Sequence, residues 1–268
     1  MNRRLRALDQ KFGDLVVALA RSAAPVTSAW TEPTIAVVIP AYNEADGIVE
    51  VLEELPPELA GYRVEPIVVV DGGSDDTAQV ARAAGYITLV HPVNRGQGDA
   101  LRTGFGHALE LGAAIVMTMD ADGQHRPDQM IDLVTPIVDD VADYAQGSRF
   151  LGTYDDAGGT RDLGIRGFTR LINAVSHAGI TDCTNGFRAI RAKSLATMRL
   201  EEPRFSAPEI IIEASRAGLR MVEVPVHIRS RTHGESKKPK RLGYPLGFLG
   251  VILRTACRDG LRRFFSLQ

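Results

Sequence analysis

The chain has 268 residues, with 31 Lys+Arg against 33 Asp+Glu, a formal net charge of −2 and 44% hydrophobic residues. That balance lacks the global positive charge of a nucleic-acid binder, and a length of this order buries a full core without disulfides or a structural metal. Two cysteines, Cys183 and Cys257, are too few for a disulfide framework or a four-ligand zinc site, so a reducing, cytoplasmic compartment is expected.

From Leu5, the apolar residues Leu8, Phe12, Leu15, Val16 and Leu19 recur at helical spacing and predict an amphipathic helix over residues 3–23. Asp9, Lys11 and Asp14 interrupt the stretch where a signal peptide would carry its apolar core, so secretion is not expected. A Pro- and Ser/Thr-containing linker follows to residue 33. Next come a β-branched strand over 34–39 ending at Pro40, and a helix over 43–55 stopped by Pro56 and Pro57. A strand over 67–70, a helix over 75–84 closed by Gly85, a strand over 86–90, a helix over 98–111 and a strand over 114–119 continue the alternation. No segment reaches the ~18 apolar residues of a membrane span. The longest candidate, residues 242–253, is broken by glycines and Pro245.

Repeated β-α units of this size predict an α/β fold with a mainly parallel sheet and helices on both faces. Ligands in such sheets bind at the carboxyl ends of the strands. Chemistry is therefore expected after Ile39, Val70 and Met119. The division expected is an N-terminal helix and linker (1–33), a catalytic domain (34–240) and a C-terminal amphipathic helix (241–268).

After Met119, Asp120-Ala121-Asp122 puts two carboxylates on one side of an extended chain, with the Gln124 amide following. Hard oxygen ligands so arranged suit Mg²⁺ or Mn²⁺; the alternative is a solvated acidic turn capping a helix near Asp128. Asp71, with Asp75 and Asp76, suits the base or ribose of a nucleotide, or equally a glycine turn and a helix N-terminus. Asn94-Arg95-Gly96-Gln97-Gly98 has the glycines of a phosphate-cradling loop but not the lysine and serine of a P-loop, and reads otherwise as a turn.

Taken in order, Pro40-Ala41-Tyr42-Asn43-Glu44, Asp71-Gly72-Gly73-Ser74-Asp75, Asn94-Arg95-Gly96-Gln97-Gly98, Asp120-Ala121-Asp122-Gly123-Gln124-His125, Gly147-Ser148-Arg149-Phe150, Thr184-Asn185-Gly186-Phe187-Arg188, Glu223-Val224-Pro225 and Arg231-Thr232-His233-Gly234-Glu235-Ser236-Lys237 resemble a family-2 glycosyltransferase. More narrowly, the series is similar to the dolichyl- or polyprenyl-phosphate mannose and glucose synthases. The resemblance implies a GT-A fold, a nucleotide-sugar donor such as GDP-mannose or UDP-glucose, a polyprenyl phosphate acceptor and a Mg²⁺ or Mn²⁺ ion. It implies that Pro40, Tyr42 and Glu44 line the nucleotide, that Asp71 contacts the base, and that Asp120, Asp122 and Gln124 meet the metal and donor diphosphate. By the same resemblance, Asp75, Gly96, Asn185 and Lys237 are expected on the substrate side. The resemblance further implies that Arg149, Arg231, and either Arg161 or Arg166 bind the acceptor phosphate. The pattern departs from the family in having one aspartate at Val70-Asp71-Gly72 where two are usual, and Gln97 where many relatives have lysine.

On a helical wheel, Leu253, Cys257, Leu261 and Phe264 share a face beside Arg254, Arg258 and Arg262. Such a helix suits an anionic membrane, which would place the protein on the inner face of the membrane; packing on the domain or pairing in a homodimer is the alternative. Two rival functions use the same fold. A hydroxyl acceptor needs a general base, and no Glu-Asp dipeptide of the kind such relatives carry occurs, leaving Asp182 or Glu209 for that task. A non-catalytic nucleotide-sugar-binding protein would have no need of Asp120, Asp122 and Gln124.

Overall fold

The computed structural model describes residues 29–155, 159–231 and 243–265, apart from the side chains of 160, 161, 243, 244 and 259–265. The helix expected over 3–23, Lys237, and the side chains of Arg161, Leu261, Arg262 and Phe264 lie outside the described residues.

Strand β1 (Thr34–Ala41) is the centre of the sheet, paired in parallel with β3 (Tyr62–Asp71) on one side and β5 (Ile115–Thr118) on the other. Its unbroken apolar run follows from burial on both faces. Ile35, Val37, Ile39 and Ala41 enter one apolar cluster with α1 (Ile48–Glu53) and α4 (Met130–Val138). Ala36 and Val38 enter the opposite one, against α3 (Gln97–Glu110). The period of two thus places helices on both faces, as expected.

Beyond β3 lies β4 (Ile87–His91), also parallel, reached through α2 (Thr77–Ala83), while β2 (Glu58–Leu59) forms a short hairpin at the start of β3. The sequence pattern shows only residues 67–70 of β3, because Pro66 interrupts the run. Pro66 is tolerated because its outer edge is unpaired: β2 reaches only Arg63, and the pairing with β4 starts at Ile67, opposite Ile87.

The second half is mixed. β7 (Arg188–Arg191) runs antiparallel between β5 and β6 (Tyr144–Tyr154), and β8 (Met221–Ile228) closes the sheet parallel to β6. Helices α5 (Thr160–Ser176), α7 (Ser206–Arg216) and α8 (Gly243–Phe265) join in a third cluster through Ile172, Ile211, Phe248 and Ile252. The short helix α6 (Ala192–Leu195) follows β7.

Of the alternatives left open for the C-terminal helix, this third cluster shows packing on the domain. Phe248, Val251, Ile252 and Thr255 are its buried face. Arg254 forks onto Glu202 at 2.9 and 2.7 Å, and Arg258 pairs with Glu209 at 2.5 Å. These two arginines of the basic stripe are held by acidic groups of the domain itself. Leu246, Leu253 and Cys257 remain exposed. Among the described residues, no helix is long and apolar enough to cross a membrane.

Candidate active site

The loops after β1, β3 and β5 come together at the carboxyl edge of the sheet. The first two are clasped by side chains. Asp75 accepts the Ala45 N–H at 3.0 Å and the Thr77 hydroxyl at 2.6 Å, and the same Thr77 oxygen accepts the Glu44 N–H at 2.9 Å. Asn43 Oδ1 accepts the Ser74 N–H at 2.9 Å. Asp75 therefore ties the two loops together. Pro40 ends the buried run of β1, and Tyr42 stands exposed at the rim.

Asp71 is also turned inward. One oxygen meets His91 Nδ1 at 2.7 Å and the Arg95 N–H at 2.9 Å, and the other accepts the Gly96 N–H at 2.7 Å. Against the upward push of burial, these hydrogen bonds hold its carboxyl below the ordinary value. These bonds anchor the 94–96 loop to a carboxylate that is 3% exposed.

Of the two readings of the 94–98 loop, a phosphate cradle or a turn, the turn is packed against another segment of the chain. The Gly98 N–H donates to the Pro203 carbonyl at 2.8 Å, and a Cβ on Gly96, whose φ is +104°, would lie 2.3 Å from that same oxygen. These glycines serve the close approach of the 202–204 segment. Gln97 instead reaches Asp120, its Nε2 donating to Oδ1 at 3.3 Å.

The loop after β5 is folded around His125, a residue to which the sequence reading gave no role. Its Nδ1 accepts the Asp120 N–H at 3.0 Å, and its ring stacks on Phe187 with centroids 4.9 Å apart. Burial lowers its pKa and keeps the imidazole neutral, as that accepting nitrogen requires. Asp120 remains partly open, with Gly186 opposite, where a Cβ would stand 3.0 Å from Oδ1. Asp122 is buried; Oδ1 accepts the Gln124 N–H at 3.2 Å and Oδ2 accepts Arg231 Nη2 at 2.7 Å. Burial, and then the neighbouring Asp120, raise its pKa. Gln124 donates Nε2 to the Arg229 carbonyl at 3.1 Å, leaving Oε1 as the atom of that side chain able to ligate a cation.

The residues fit a divalent cation. Asp122 already takes a cation, the guanidinium of Arg231, and Asp120 beside it is accessible. Among the described residues, no group of three His, Cys, Asp or Glu forms a cage. Mg²⁺ or Mn²⁺ at one or two carboxylates needs none, because water and substrate phosphates complete the shell.

Next to Asp120 opens a polar pocket whose wall includes His125, Arg149, Thr184, Asn185 and Arg229. Arg149 donates Nε to Asp182 at 2.6 Å and Nη2 to the Thr184 hydroxyl at 3.1 Å. Asn185 is buried; its Oδ1 accepts the Phe187 N–H at 3.0 Å, and Nδ2 has no acceptor among the described residues. Arg166 is exposed, with its guanidinium 4.2 Å above the Phe150 ring. Arg231 lies on Asp122, with Nη1 also 3.4 Å from Glu44.

Neither candidate base for a hydroxyl acceptor is available. Asp182 is fully buried, and its second oxygen accepts the Thr184 N–H and hydroxyl, each at 3.1 Å. Glu209 accepts the N–H groups of Glu201 and Glu202 at 2.8 and 2.9 Å and pairs with Arg258. Asp162, in the pocket wall, accepts the Tyr154 hydroxyl.

Residues 36–199 match the sequence profile described as Glycosyl transferase family 2. The chain is 30% identical over 212 residues to the UDP-N-acetylglucosamine–dolichyl-phosphate N-acetylglucosaminyltransferase of Methanococcus voltae, covering 70% of this chain and 83% of the relative. It is 31% identical over 225 residues to the polyprenol monophosphomannose synthase of Mycolicibacterium smegmatis, covering 80% and 83%. Its fold is similar to that of glucosyl-3-phosphoglycerate synthase from Mycobacterium tuberculosis, solved with Mn²⁺ and UDP-glucose. That match has a TM-score of 0.65 at 22% identity and covers 91% of this chain and 82% of the other. The architecture is GT-A.

Proposed function

The chain belongs to glycosyl transferase family 2, and from that premise we propose that it is a metal-dependent, inverting enzyme that moves mannose or glucose from GDP-mannose or UDP-glucose to a polyprenyl phosphate. The observation that carries this reading is the pairing of Arg149 with a buried Asp182: the pocket offers an acceptor a guanidinium where a hydroxyl would need a base. The printed names of the two sequence relatives, one giving dolichyl phosphate as acceptor and the other polyprenol monophosphomannose as product, support the same acceptor class.

A phosphate monoester has a second pKa of about 6, so near neutrality it is largely dianionic and attacks without deprotonation. What remains for the protein is to hold that anion in line behind the anomeric carbon, which inverts the centre. Arg149, rigidly oriented by Asp182 and Thr184, holds one side of the phosphate, and Arg231 the other. Asp120, Asp122 and Gln124 would hold the cation, which when bound stabilises the diphosphate leaving group. Tyr42 and Glu44 border the nucleotide. The exposed Leu246 and Leu253 on α8 would meet the inner face of the membrane where a lipid acceptor resides.

A second reading takes a hydroxyl acceptor, with Asp162 in the pocket wall as the base. The two are separated by incubating purified protein with Mg²⁺ or Mn²⁺, a panel of nucleotide sugars, and a short polyprenyl phosphate beside its free alcohol. Mass spectrometry should find a glycosyl phosphate diester and no glycoside of the alcohol. Glycosylated alcohol alone, lost on Asp162→Asn, would overturn the phosphate reading.

A further inference from the structure

Arg231 occupies the oxygen of Asp122 that a divalent cation would need. Its Nη2 lies 2.7 Å from Asp122 Oδ2 and its Nη1 3.4 Å from Glu44 Oε1, while the other Asp122 oxygen accepts the Gln124 N–H. Both terminal nitrogens of the guanidinium are thus aimed at carboxylates. An incoming phosphate dianion would find the fork engaged and two negative groups behind it.

The arrangement has a physical reason. Two carboxylates two residues apart, one of them buried, need a compensating cation whenever no metal is bound. The guanidinium supplies it. Yet one planar fork cannot lie on Asp122 and grip a phosphate at the same time. A divalent ion at Asp122 also repels a guanidinium within contact distance. Glu44, on the neighbouring loop, provides a second carboxylate along which Arg231 can turn without leaving the site.

We propose that Arg231 is a placeholder exchanged by the metal: it guards Asp122 in the empty enzyme, and loading of the metal-bound donor releases it to bind the acceptor phosphate. The proposal rests on the functional reading above and adds an order to it, donor before acceptor. It also requires that cation and acceptor help each other to bind, although two anionic substrates alone would oppose one another. By linkage, each ligand must strengthen the other by the same factor.

The test is a binding experiment on the full chain. Mn²⁺ alone is titrated by the electron paramagnetic resonance of the free ion, with and without a water-soluble prenyl monophosphate, after subtracting Mn²⁺–phosphate association in buffer. Prenyl phosphate binding is measured calorimetrically with and without Mn²⁺. The parent should show reciprocal tightening of about five-fold or more. Arg231→Ala should bind Mn²⁺ more tightly than the parent and lose the coupling. Glu44→Gln, which leaves Arg231 with Asp122, should bind Mn²⁺ more weakly. Melting temperatures establish that each variant is folded. Absence of coupling in the parent overturns the exchange, as does equal coupling in Arg231→Ala, where a metal bridging the phosphate directly would persist. Unchanged Mn²⁺ binding in Asp122→Asn, or none in the parent even with UDP or GDP present, instead overturns the metal reading itself, and the exchange with it.

Discussion

Asp182 accepts both the Nε–H and the backbone N–H of Arg149, at 2.6 and 3.3 Å, from a position with no exposure to solvent. The pair fixes the direction of the guanidinium before any ligand arrives. Breaking a buried pair from one side leaves an uncompensated charge and costs about 3–5 kcal/mol. Asp182→Ala should therefore lower stability by about that much in urea denaturation. Asp182→Asn, with its shape kept, should remain better folded and mainly raise the KM for prenyl phosphate. A variant with parental KM would show that Arg149 does not need Asp182 to bind the acceptor.

Asp122→Asn removes a charge and preserves size at the end of β5. Turnover should fall by about two powers of ten or more, with an unchanged circular dichroism spectrum. Excess EDTA should have the same effect on the parent. Activity persisting in either experiment would take the metal out of the mechanism.

Arg231→Lys keeps the charge and loses the fork. Because an ammonium cannot reproduce bidentate binding to phosphate, kcat/KM for prenyl phosphate should drop by about ten-fold or more while nucleotide affinity changes little. Parental kinetics in the lysine variant would show that Arg231 does not grip the acceptor phosphate.

The Asp71 carboxyl is held below its ordinary value of 3.8, so its contribution to stability is present above that pH and disappears as pH falls through the lower, native value. Asp71→Asn should therefore be less stable than the parent at pH 7, and the gap should narrow below about pH 4. Urea denaturation across this range measures it; a gap that does not change with pH would mean that geometry and not charge holds the 94–96 loop.

Leu246 is 69% and Leu253 49% exposed, whereas Phe248 and Ile252 on the same helix are buried. Leu246→Glu with Leu253→Glu should abolish sedimentation with anionic liposomes and leave the melting temperature nearly unchanged. Phe248→Ala should instead cost about 3–5 kcal/mol through the cavity it leaves. Deleting α8 would confuse the two effects. If the glutamate variant still sediments, the membrane contact lies elsewhere.

The sequence by itself determined the central strands, the alternation of helices on two faces and the strand ends where the loops converge. Those features depend on local periodicity and on the buried apolar runs of β1, β3 and β5, and a run of β-branched residues ended by Pro40 has few other folds available. The order of motifs also carried the family, since Asp120, Asp122, Gln124 and Arg149 keep their chemistry wherever the chain bends. Tertiary structure alone decided which polar groups are spent on one another. Asp71 and Asp75 have the residue type and position of nucleotide ligands, yet their oxygens are consumed by Gly96, Arg95, Ala45 and Thr77 from neighbouring loops. Gly96 is a glycine because Pro203, more than a hundred residues later, presses on it. Arg254 and Arg258 sit on a wheel like membrane-facing cations, but Glu202 and Glu209 reach them first. A hydrogen bond or ion pair between distant segments leaves no periodic trace in either, so only the fold could show that Arg231 rests on Asp122.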